Sequence, residues 1–88
     1  MTKLKRYWFK FDSAENLPIG IIMGCGITAY NREDALLLLK NDVFKREDIP
    51  NPIVFIENID VSTLDQGHVI PNMSSPDHRG VWFPLGYD

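Results

Sequence analysis

The sequence predicts a small α+β domain, a mostly antiparallel sheet with one main helix packed on it in the order β-β-α-β-β. Three observations carry that prediction. Residues 6–12 alternate in character, with Tyr7, Phe9 and Phe11 on one side and Arg6, Trp8 and Lys10 on the other. Asn31 opens a helical pattern with Leu36, Leu39 and Val43 on one stripe. Beyond Pro50 and Pro52, the run Ile53-Val54-Phe55-Ile56 returns to strand-like composition.

Taken in order, the first strand is expected over Arg6 to Asp12, half-buried on its aromatic side. Asn16, Pro18 and Gly20 then punctuate the chain, suggesting a hairpin or short loop. The second strand is expected from Ile19 to Tyr30. Its odd positions, including Ile21, Cys25 and Ile27, form an apolar face. Gly20, Gly24 and Gly26 fall on the other face, where glycine admits a close neighbour or marks a bulge. In the helix, Glu33 and Asp34 suit the positive end of the dipole. Ala35 and Leu38 widen the stripe, Lys40 and Asn41 supply polar surface, and the end is expected near Phe44, ahead of the prolines. The near-continuous apolar run at 53–56 suggests a central strand covered on both faces. Ser62-Thr63-Leu64-Asp65 reads as a capping box on one helical turn that Gly67 ends, and Val81-Trp82-Phe83 as a short last strand.

The chain has 88 residues, enough for one domain (1–88) with a modest core. A single cysteine excludes an internal disulfide framework and any multi-cysteine zinc site. The longest apolar stretch, Ile19 to Ile27, is too short to span a membrane and is interrupted by three glycines. Lys10 and Asp12 fall where a signal peptide needs an apolar core, so a cytoplasmic location is expected.

Charge is unevenly placed. The net charge is -3, yet Lys3, Lys5, Arg6 and Lys10 put four cations into the first ten residues. No Lys or Arg occurs between Arg46 and Arg79, a span that holds Glu47, Asp48, Glu57, Asp60, Asp65 and Asp77. Such a stretch disfavours phosphate contact and suits a basic partner protein, although an acidic surface kept for solubility reads the same way. The cations and aromatics of the first segment could suggest a single-strand binding face, but four cations in a net-negative chain make a weak footprint.

Other constellations are weaker. His68 and His78, each near an aspartate (Asp65, Asp77), could divide acid and base roles in a small hydrolase or nuclease, though both lie in loop-rich sequence without nearby cations. Two histidines ten residues apart match no recurrent zinc spacing, and no cofactor is expected. Gly24-Cys25-Gly26 lacks the lysine of a phosphate loop and the cationic surroundings of an activated thiol. Asn72-Met73-Ser74 matches a glycosylation acceptor only by pattern. Aromatic Trp82, Phe83 and Tyr87 beside acidic residues resemble a protein-recognition surface, with core placement in the last strand as the alternative for Trp82 and Phe83.

Four segments carry a family resemblance: Tyr7-Trp8-Phe9; Gly24 to Tyr30 with Asp34-Ala35-Leu36; Ile59 through Met73; and Arg79-Gly80-Val81-Trp82-Phe83-Pro84. Together they resemble the short bacterial immunity proteins of polymorphic toxin systems. The nearest resemblance is to contact-dependent growth inhibition immunity proteins whose toxin is an RNase A-like nuclease. It covers nearly the whole chain, but none of its motifs is catalytic. It implies a non-enzymatic cytoplasmic inhibitor that binds one cognate nuclease 1:1 and blocks its active site, touching neither nucleic acid nor membrane. On charge and aromatic character, the expected contacts are Glu57, Asp60, Asp65 and Asp77, with Trp82 and Tyr87 as anchors. The alternatives are the His68/His78 enzyme and a regulatory subunit of a housekeeping complex.

Overall fold

A computed structural model describes residues 3–12, 17–18, 20–45 and 49–85. Four strands, β1 (Lys5–Lys10), β2 (Cys25–Ala29), β3 (Val54–Glu57) and β4 (Gly80–Phe83), form one antiparallel sheet in the order β3-β1-β2-β4. The main helix, α1 (Arg32–Leu38), lies between β2 and β3 in the chain and continues into a π-wound segment, Leu39–Phe44. The expected fold class is the observed one. The two outer strands are β3 and β4, so the apolar run at 53–56 is an edge strand and not a central one: Phe55 and Ile56 remain 36% and 39% exposed. The strand covered on both faces is β1, whose Tyr7, Trp8 and Phe9 are all buried.

Helix and sheet enclose the larger core. Tyr7 and Phe9 of β1, Cys25, Ile27 and Ala29 of β2, and Val81 of β4 meet Ala35, Leu38, Leu39, Val43 and Phe44. The Asn31 side chain caps α1 by accepting from the Asp34 amide at 2.8 Å, as its residue type predicts. The buried stripe runs through Ala35, Leu38 and Leu39 to Val43 and Phe44, with Leu36 at its margin; beyond Leu39 the π winding places Val43 and Phe44 where α winding would place residues 42 and 43. The end at Phe44 falls where expected, but by another cause: Lys45 takes a left-handed conformation (φ 57°) and its amide bonds back to Lys40.

The second strand is shorter than its apolar pattern suggests. Gly20 (φ 84°) and Gly24 (φ 122°) bracket a 3-10 turn at Ile21–Met23, so Ile21 is buried while Ile22 and Met23 face outward. Ile19 lies outside the described residues. Likewise β3 stops at Asn58, which has φ 58°.

The second sheet face is roofed by irregular chain. Here Trp8 and Trp82 stack with centroids 6.0 Å apart, and Trp8 packs on Phe83 at 5.7 Å. Val69 completes the buried cluster, with Val54, Ile59, Val61, Leu64 and Met73 packed around it. The indoles lie directly on β2: a Cβ at Gly24 would stand 2.2 Å from a Trp8 ring carbon, and one at Gly26 would stand 2.4 Å from Trp82. Gly26 also adjoins the register shift against β4, so the glycine face serves both expected uses. Gly26→Ala is expected to cost about 1–3 kcal/mol through overpacking. That should lower the thermal midpoint by several degrees; an unchanged midpoint would refute the close approach of the Trp82 ring.

Candidate functional site

The roofing segment, residues 58–79, holds three of the six expected partner contacts and both histidines. It is built from short turns anchored by aspartates. Asp60 caps a 3-10 turn at Val61–Thr63, accepting from the Ser62 amide at 3.1 Å and the Ser62 hydroxyl at 2.7 Å. The expected capping box at Ser62 is therefore displaced: Ser62 is the donor and Asp60 the cap. Asp65 opens the next turn, its Oδ1 accepting from the amides of Gly67 (2.7 Å) and His68 (3.1 Å). Gly67 thus belongs to this turn and does not end the first. These bonds to the ionised form, from Ser62 for Asp60 and chiefly from the Gly67 amide for Asp65, hold both carboxyls below the usual carboxylate range. Both aspartates are solvent-exposed, and among the described residues no Lys or Arg lies within ion-pair distance of either.

The other two acidic contacts are neutralised from within. Arg6 reaches Asp77 at 2.6 Å, and Lys5 stands 3.8 Å from Glu57, which also accepts from the Tyr7 hydroxyl at 3.4 Å. The cationic start of the chain and its acidic second half are thus brought together by β1 pairing with β3 and by the loop over Arg6. Among the described residues, the acidic field expected from the sequence contracts to the Asp60–Asp65 stretch.

Trp82 is 1% exposed against Gly26, the position of a core residue with almost no surface to offer a partner. Tyr87 lies outside the described residues, as do Glu47 and Asp48. Exposed apolar surface occurs instead at Ile22 (56%) and Met23 (39%). With Leu64, Asp65 and Lys10 they line a shallow groove of about 460 Å³, floored by Trp8 and Val69. The sequence pattern missed this groove because it placed Ile22 and Met23 inside a regular strand; the paired glycines 20 and 24 are the signal for the turn.

His68 Nδ1 stands 3.2 Å from Asp65 Oδ2, both side chains half exposed or more. His78 lines a separate depression with Ser74, Ser75 and Arg79, to which His68 does not contribute. The two histidines are not gathered into one pocket. Cys25 is fully buried, and burial pushes its thiol far up, to the inert protonated form. Among the described residues no group of three His, Cys, Asp or Glu side chains is placed to hold a metal, and no helix is long and apolar enough to cross a membrane.

One further contact fixes the roofing segment. Arg79 donates to both oxygens of Asp34, at 2.9 and 2.5 Å, and its guanidinium lies 6.0 Å from the Tyr30 ring. Thr28, the one buried polar residue among the described residues, donates to the Pro76 carbonyl at 2.6 Å. No protein-family model, curated protein or solved structure matches this chain.

The Arg79 bonds hold the Asp34 carboxyl below its ordinary range. Because the folded-state pKa is depressed, the stability it brings is present above the unfolded value, about 3.9, and is lost as pH falls through the folded value. Asp34→Asn should therefore lower the thermal midpoint at neutral pH, and the gap from wild type should close as the solution is acidified below pH ~4. Melting curves recorded across that range check this; a gap independent of pH contradicts it.

Proposed function

We propose that this chain is an immunity protein that binds a cationic nuclease toxin and covers its active site, one chain per toxin, in the bacterial cytoplasm. The observation that carries the reading is the Asp60–Asp65 stretch, two exposed, ionised carboxylates with no described Lys or Arg in ion-pair range, set beside the apolar groove at Ile22, Met23 and Leu64. The resemblance of the four sequence segments points the same way. A nuclease that grips RNA presents a cationic cleft, and an acidic rim around apolar contacts complements it. The groove takes over the anchoring expected of Trp82, and the two aspartates remain as charge complements, with Glu57 and Asp77 already engaged by Lys5 and Arg6.

The test must separate charge from folding, because both aspartates also hold turns together. Asn keeps a capping oxygen and removes the charge. The Asp60→Asn/Asp65→Asn double variant should stay folded with a somewhat lower thermal midpoint at neutral pH, since the bonds to the ionised carboxyls are weakened. It should associate several-fold more slowly with a basic RNase A-like toxin domain, and lose much of the salt dependence of association. Inhibition of RNA cleavage by that domain, measured with both proteins, reads the function directly. Equal association rates and equal salt dependence would remove the electrostatic claim, and absence of inhibition by the wild-type chain would remove the immunity reading.

The Asp65–His68 pair favours a second reading, a small His-dependent hydrolase or nuclease, since a carboxylate beside Nδ1 orients an imidazole for proton transfer. RNA or ester hydrolysis by the isolated chain that His68→Ala abolishes would establish it. Equal rates for wild type and variant dismiss it.

A further inference from the structure

We propose that the chain pairs with a second copy of itself through the outer edge of β3, antiparallel, about a two-fold axis at Phe55. The two edges of the sheet are treated differently. On β4 the side chains of Val81, Trp82 and Phe83 are buried, and the Ser74 amide occupies the Trp82 carbonyl at 2.8 Å. On β3 the described residues leave the outer edge without a strand partner. There Ile53, Phe55 and Ile56 are 63%, 36% and 39% exposed. Val54–Glu57 contains no Lys, Arg or Pro, and its one charged residue is Glu57 at the strand end.

Symmetry restricts what can sit there. Directly opposed residues in an antiparallel pair point to the same face. A two-fold axis normal to the sheet keeps both helices on one side, so each residue must oppose one an even number of positions away. An axis at Phe55 sets Phe55 against its own copy, Val54 against Ile56, and Ile53 against Glu57. An axis at Ile56 would instead set Phe55 against Glu57 and draw in Asn58, whose positive φ leaves the strand. The first register sets Phe55 against Phe55 and Val54 against Ile56; an axis at Val54 would draw in Pro52 and pair Phe55 with Ile53, whose amide already donates to the Lys10 carbonyl.

Charge then selects the occupant. Arg32 lies 5.2 Å from the centroid of Phe55, on the helix side, and Glu57 lies on that same face two residues further along. Arg32, Glu33 and Glu57 share a groove of about 480 Å³ on this side. With the axis at Phe55, each copy's Glu57, which stands 3.8 Å from its own Lys5, comes diagonally beside the other's Phe55, and so bridges Lys5 to the other copy's Arg32, twice per dimer. An edge carrying both signs is complemented by its own two-fold image, whereas a strand of one sign would meet a like charge.

The pairing is independent of the immunity reading and is tested on the isolated chain. Sedimentation over a concentration series should show mass rising to twice that of one chain. Amide exchange at Val54–Glu57 should slow with concentration while β4 is unchanged. Ile56→Lys should weaken association by about tenfold or more. Arg32→Glu should weaken it too, and Arg32→Glu/Glu57→Arg should recover part of the loss. A mass of one chain at every concentration overturns the proposal, as does a dimer that Ile56→Lys leaves equally tight. Should that variant fail to fold, the wild-type exchange pattern decides: slowing confined to β3 supports the pairing, and its absence there overturns it.

Discussion

The arrangement depends on two indoles packed closely against two glycines. A single helix can cover only one face of a four-stranded sheet, and among the described residues there is no second α-helix to cover the other. Trp8 and Trp82 solve this by filling the second face with large rings, and Gly24 and Gly26 let those rings descend to the β2 backbone. Large aromatic side chains bury more surface per residue than any aliphatic one. The irregular segment 58–79 then needs to add only a few apolar contacts, Ile59, Val61, Leu64, Val69 and Met73, to close the layer. Without the indoles this segment would have no apolar floor, and the exposed aspartates on it would have no fixed positions.

Because that layer is irregular, its backbone polar groups are satisfied locally. Asp60 and Asp65 accept from nearby amides, Gln66 and Asn72 donate back to the carbonyls of Ser62 and His68, and Thr63 closes on Asp60. Long-range polar contacts, Arg6 to Asp77, Thr28 to Pro76 and Arg79 to Asp34, moor its far end to the sheet and to α1. The same carboxylates therefore serve as turn caps and as surface charge. An alanine scan of this segment would mix the two roles, while asparagine separates them.

What the sequence showed depended on whether a signal was local. The helix start at Asn31 and the apolar face of β2 rest on neighbouring residues, and both were legible. So was the alternation of Tyr7 and Phe9, although the same pattern hid the burial of Trp8, whose cover arrives from residues 59–82. The run Ile53–Ile56 looked central because continuous apolar character usually means two covered faces; here part of that character is exposed at an edge. Charge was the most misleading signal. Counting along the chain gave a cationic start and an acidic half, but antiparallel pairing puts Lys5 beside Glu57, and loop docking puts Arg6 beside Asp77. Neither pairing is written in any local spacing, and the Asp34–Arg79 clamp, bridging 45 positions, is equally invisible.

The two exposed surfaces make different demands on the fold. The β3 edge offers backbone groups in fixed register, so it suits a partner that is itself a strand, and its selectivity comes from side-chain parity and the Arg32–Glu57 arrangement. The roofing segment offers carboxylates on turns whose stability comes from local bonds and from the indole floor. Substitutions at its exposed positions leave the sheet's own pairing untouched, since none of residues 58–79 belongs to a strand. The result is a separation of roles: a scaffold fixed by the helix, the sheet and two tryptophans, and an exposed surface free to change above it.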